Sequence, residues 1–131
     1  MQIIINSSGN KTDPEVEMLA DSKNYKLLSS GFQEAQSEIK LILSTEESPF
    51  YPISLLYLVI KPLEESSGLL MLRLEEELME IAGDRKAFAN FGETLLNLSK
   101  SRIGQHFHID YYDGNGIVDI TNISMTVSLK I

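Results

Sequence analysis

Two imidazoles, a carboxylate and a phenol fall at every second position in His106, His108, Asp110 and Tyr112. In an extended strand successive side chains point to opposite faces. These four residues therefore share one face, and Phe107, Ile109 and Tyr111 share the other. Both histidines of the chain lie in this stretch, which makes it the most chemically specific feature of the sequence.

The first chemistry such a row suggests is metal binding. His-x-His on a strand sets two Cα atoms about 7 Å apart, close enough for both rings to converge on a divalent transition metal. With Asp110 they form a two-histidine, one-carboxylate set with open positions. The chain has no third histidine and no cysteine, so further ligands would come from Asp113, Asp119 or another acidic residue. The second reading is a solvated sheet face held by ring stacking and hydrogen bonds. The third is a contact surface, because tyrosine is enriched where proteins meet. No nucleophile elbow, phosphate loop or dinucleotide fingerprint is present, and no catalytic residue is assigned.

Composition narrows the partners. The chain has 131 residues, 43% of them hydrophobic and 23% charged, the profile of one globular domain with a real core. A net charge of −8 argues against nucleic acid. It suits a basic protein partner, since complementary potentials speed encounter; acidity also serves solubility alone. Glu75-Glu76-Glu77 and Glu64-Glu65 read either as a patch for a basic partner or as charges guarding a wet edge. No apolar run reaches membrane-spanning length, and the first residues lack the basic leader of a signal peptide. The expected compartment is the cytoplasm.

The elements that must position the row follow from periodicity. Residues 2–6 read as a strand ended by Ser7-Ser8-Gly9-Asn10. Thr12-Asp13-Pro14-Glu15 resembles a helix start. Tyr25, Leu28 and Phe32 have helical spacing, but Gly31 interrupts them. Residues 37–45 alternate as a half-buried strand. Residues 55–60 are apolar on both faces, which predicts a central strand or one covered by a second subunit in a homodimer. The Glu64–Gly68 turn could join that strand to the next segment as a hairpin. Residues 69–82 have helical composition but strand alternation; because they follow a turn and precede a separate helix start, strand is expected. Asp84 caps an amphipathic helix over residues 84–100, with Phe88, Phe91, Leu95 and Leu98 three or four residues apart on one stripe. Asp113-Gly114-Asn115-Gly116 is a turn, and Ile123 to Ile131 alternate as a closing strand. No internal repeat is evident. The expectation is α+β: a mostly antiparallel sheet of about five to seven strands with one long helix on one face. If that helix covers Phe107 and Ile109, the histidine row lies open, with the Ser/Thr side of the last strand beside it.

From Glu77 onward the features run in this order: Ile81-Ala82-Gly83-Asp84, the amphipathic helix, His106-Phe107-His108-Ile109-Asp110, a glycine-containing loop and a terminal strand. This arrangement resembles the small α+β proteins classed as predicted bacterial immunity proteins of polymorphic toxin systems. The resemblance implies stoichiometric binding and neutralisation of a cognate toxin, without catalysis or cofactor. It makes His106, His108, Asp110 and Tyr112 the expected partner-binding residues, with metal binding by His106, His108 and Asp110 as the alternative.

Overall fold

A computed structural model describes residues 2–130. Among them are nine strands and two helices, and the architecture is α+β. In chain order these are β1 (Ile4–Ser7), β2 (Glu15–Ala20), α1 (Ser22–Glu34), β3 (Ile39–Ile42), β4 (Ile53–Ser54), β5 (Tyr57–Pro62), β6 (Met71–Glu75), β7 (Leu78–Gly83), α2 (Arg85–Ser99), β8 (His106–Ile109) and β9 (Ser124–Leu129). The strands divide between two sheets, ordered β4-β1-β2-β9-β8 and β3-β5-β7-β6. Pairing is antiparallel except once in each sheet, where β2 runs parallel to β9 and β5 parallel to β7.

The topology contains a repeat that the residues conceal. Each half of the chain is a hairpin, a helix and two further paired strands: β1-β2-α1-β3-β5, then β6-β7-α2-β8-β9. The hairpin before each helix joins one sheet, and the strands after that helix join the other. Register makes the halves match residue for residue. Glu15 of β2 corresponds to Leu78 of β7, and the run continues through Asp21 and Asp84 into the helices. Only Glu17/Glu80, Asp21/Asp84 and Lys23/Lys86 are identical between residues 15–25 and 78–88.

The two aspartates explain why both helices start where they do. Asp21 and Asp84 are extended N-caps whose carboxylates accept from the backbone N–H of Asn24 and Ala87. Asp84 also accepts from Ser66 N–H and Gly68 N–H, at 3.0 and 2.9 Å. It thus ties the turn before β6 to the start of α2. These donors, Ala87 first, hold its carboxyl down at about 2.

The buried stripes of the helices, Tyr25, Leu28 and Phe32 on α1 and Phe88, Phe91, Leu95 and Leu98 on α2, share one apolar cluster with the inner faces of both sheets. Phe32 meets Phe88 and Phe91 edge-on, at 5.0 and 4.8 Å between centroids. Tyr25 is wholly buried, and its hydroxyl donates to the Ser128 carbonyl at 2.6 Å, fixing α1 to β9.

Three expectations about elements are corrected. Thr12-Asp13-Pro14-Glu15 does not start a helix. Asn10 Oδ1 accepts from the N–H groups of Thr12 and Asp13, which closes a turn, and Glu15 begins β2. The helix starts later, at Asp21, and runs through Gly31 because Tyr25, Leu28 and Phe32 are all buried. The segment after the Glu64–Gly68 turn does not form a hairpin with β5; β7 lies between β5 and β6. The doubly apolar β5 is central, flanked by β3 and β7. Residues 69–82 form two strands, as the alternation requires. Ile131, the end of the expected closing strand, lies outside the described residues.

Candidate functional site

The strand carrying the histidines is β8, at the edge of the five-stranded sheet, antiparallel to β9. Its inward residues are gripped by the core. Phe107 meets Phe91 of α2 edge-on at 6.3 Å, and Ile109 is 2% exposed. With that face taken by the helix, His106 and His108 point outward and both are exposed. Ser128 stands opposite His106, and Thr126 opposite His108. The Thr126 Oγ1 and His108 Nδ1 atoms are 3.1 Å apart, within hydrogen-bond distance. The two rings pack edge to face, 5.0 Å between centroids.

The row is shorter than the alternation predicts. β8 ends at Ile109, so Asp110 and Tyr112 are exposed loop residues beyond the strand. Tyr111 packs partly against the core, and its hydroxyl donates to Asp113 Oδ1 at 2.8 Å. Tyr112 is 62% exposed beyond the end of β8, and Ile103 is 64% exposed just before its start. Among the described residues no three His, Asp or Glu side chains gather where one ion could be held. Asp110, the third donor proposed from spacing, leaves the row because the strand has stopped before it.

Across the sheet the same outer face continues through residues that spacing within one segment could not reveal. Glu17 of β2 is the register partner of Thr126, and Asn6 of β1 is the partner of Glu17. Asn6, Glu17, Thr126 and His108 therefore form a polar line over four strands. Asn6 is 1% exposed and its Nδ2 donates to the Glu46 carbonyl. Partial burial pushes the Glu17 carboxyl up, and the charge of Lys130 opposes this. Tyr51 lies near enough that burial, then the charges of Glu17 and Glu15, raise its phenol. Polar residues in period-two strands signal an outer face; only the strand order shows that these four lie in one line.

No helix among the described residues is long and apolar enough to cross a membrane. Comparison of the chain with family models, with curated proteins and with solved structures gives no match.

Proposed function

We propose that this chain is a non-catalytic protein-binding module of the immunity type, which neutralises a cognate toxin by direct binding through the outer face of β8. The observation that carries this reading is the exposed pair His106 and His108, bounded in sequence by the exposed Ile103 and Tyr112. Exposed surfaces of this kind, with aromatic and apolar groups among neutral polar ones, resemble the centres of protein interfaces. Thr126 and Ser128 add hydroxyls that can donate or accept at the same face. The net charge of −8 favours a basic partner and fast encounter at low salt.

The test is co-expression with the protein encoded beside its gene. The expected result is restored growth of cells making that protein and a stoichiometric complex on gel filtration. His106→Ala with His108→Ala should weaken the complex at least tenfold. An association rate that falls as salt rises would mark a basic partner. No protection and no complex would overturn the proposal.

A further inference from the structure

The internal repeat exposes a difference between the two sheets. β1 and β6 are equivalent strands: Ile4 pairs with Leu19 as Met71 pairs with Ala82, so Ile5 corresponds to Leu72, Asn6 to Arg73 and Ser7 to Leu74. Their outer edges begin alike. The Ile3 carbonyl accepts from Ser44 N–H, and the equivalent Leu70 carbonyl accepts from Asp119 N–H. Beyond this point they diverge. β1 is covered by β4, with Asn6 opposite Ser54, Ser7 opposite Ile53, and Leu55 N–H donating to the Ile5 carbonyl at 2.9 Å. β6 has no such neighbour and is the last strand of its sheet.

The backbone groups left over can be named. Leu70 directs its N–H and carbonyl away from β7, to Ile117 and Asp119. Alternate residues of a strand direct these groups to the same edge, so Leu72 and Leu74 do likewise. No hydrogen-bond partner occurs there among the described residues. A groove of about 600 Å³ runs along this edge. Four consecutive β6 residues, Leu72 to Glu75, and the adjoining Glu76 line it. That requires a groove beside the strand, since the side chains on either face of a strand are alternate ones. Ile53, Leu55 and Ile123 give it apolar walls.

Chain length explains why the edge is bare. Residues 45–56 connect Ser44 to β5 and supply β4 on the way; only residues 120–123 connect Asp119 to β9. The second connection has no spare chain with which to build an equivalent strand.

We infer that the edge of β6 at Leu72–Leu74 is a binding site for an extended segment of a partner protein, which adds to the sheet antiparallel to β6 as β4 adds to β1. The segment is of apolar-x-apolar type. One apolar side chain stands opposite Leu74, in the place of Ile53, and the next opposite Leu72, in the place of Leu55. The N–H of that second residue donates to the Leu72 carbonyl. Main-chain bonds supply affinity and the inward side chains supply selectivity. Lys11 and Arg73 offset Glu75 and Glu76 in the lining, so the site asks for a neutral centre. This site lies on the four-stranded sheet, and the inference does not rest on the proposal for the histidine face.

The experiment uses the full chain, labelled with ¹⁵N, and a capped peptide carrying the β4 residues, acetyl-Lys-Lys-Ile-Ser-Leu-Lys-amide. The expected result is saturable shifts centred on the amides of Leu72 and Leu74, with slowed hydrogen exchange at both. Exchange at Arg73, already bonded to β7, should change little. The same peptide N-methylated at its leucine should bind at least tenfold more weakly, with the protein itself unaltered. Shifts centred on β8 or spread over the surface, no saturation into the millimolar range, or equal binding of the N-methylated peptide would each overturn the proposal. So would shifts of Leu72 and Leu74 that follow protein concentration without peptide, since these would assign the edge to a second copy of the chain.

Discussion

Ser29 Oγ donates to the Gly92 carbonyl at 2.6 Å, joining α1 to α2. The two residues are equivalents in the internal repeat, so this bond marks the crossing point of the matched helices. Gln33 Nε2 donates in turn to Ser29 Oγ at 2.9 Å. A Cβ on residue 92 would sit 2.5 Å from Gln33 Cγ. Gly92→Val is therefore expected to displace Gln33, break both bonds and cost about 2 kcal/mol, read as a lower urea midpoint. Gly92→Ala should cost less, because alanine regains about 1 kcal/mol of helix propensity. A stability gain in the valine variant would contradict the close crossing.

Asp84 is expected to contribute to the acid limb of stability, together with Asp21 and Glu80, whose carboxyls are also held down. The Asp84 carboxyl titrates at about 2 in the fold, held down by backbone donors, against about 4 in an unfolded chain. A depressed carboxyl adds stability above the unfolded value and loses it as pH falls through the folded one. Asp84→Asn should lower the melting temperature at pH 7 and flatten its dependence on pH between about 4 and 2. An unchanged slope in that window would show that other carboxyls carry it.

Glu17 should behave in the opposite sense. Burial raises its carboxyl, so the folded state holds the proton more tightly than the unfolded one. Ionisation then disfavours folding as pH rises through the raised value. Glu17→Gln is expected to melt higher than the parent at pH 7 and to match it below about pH 4. Melting curves at the two pH values decide it.

Tyr25→Phe removes the hydroxyl that reaches the Ser128 and Met18 carbonyls from within the core. The expected loss is about 1–2 kcal/mol with the fold retained. Denaturant titration and an unchanged circular dichroism spectrum together check it.

The exposed histidines of β8 should be dispensable to folding. His106→Ala with His108→Ala is expected to change stability by no more than about 0.5 kcal/mol. Zn²⁺ or Ni²⁺ at saturation should leave the melting temperature of the parent unchanged. A rise that disappears in the His106→Ala variant would instead restore the metal reading.

Period and the Asp84 cap were legible, because each depends on neighbours in sequence, whereas the cap at Asp21 was missed in favour of Thr12-Asp13-Pro14-Glu15. The stripe of Phe88, Phe91, Leu95 and Leu98 is buried against the core, and the alternation of residues 124–129 is a strand. The outward aim of His106 and His108 follows from the same period of two. What failed had tertiary causes. Gly31 weakens a helix on propensity alone, but burial of Tyr25, Leu28 and Phe32 outweighs it. Tyr112 kept the alternation, but by register it falls opposite Asn122, before β9 begins at Ser124; Asp110 lies one residue beyond Ile109, the last paired residue of β8. The repeat was hidden because cores accept different hydrophobic residues at one position. Tyr25 against Phe88 and Leu28 against Phe91 preserve packing without identity. The line from Asn6 to His108 and the bare edge of β6 depend on strand order, which no local pattern encodes.

The parallel pair of β2 and β9 has a kinetic consequence. The β1–β2 hairpin needs only the first residues of the chain, yet the strand that covers its inner edge ends at Leu129. Pairing across such a sequence separation is slow, because the loop must close before the contacts reward it. During synthesis β2 has to wait on the order of ten seconds for β9 to be made. Throughout that interval it is an open template for the β9 of another chain. Exchange of the β8–β9 hairpin between copies would satisfy the same ladder, so crowded expression should favour domain-swapped dimers over disordered aggregates.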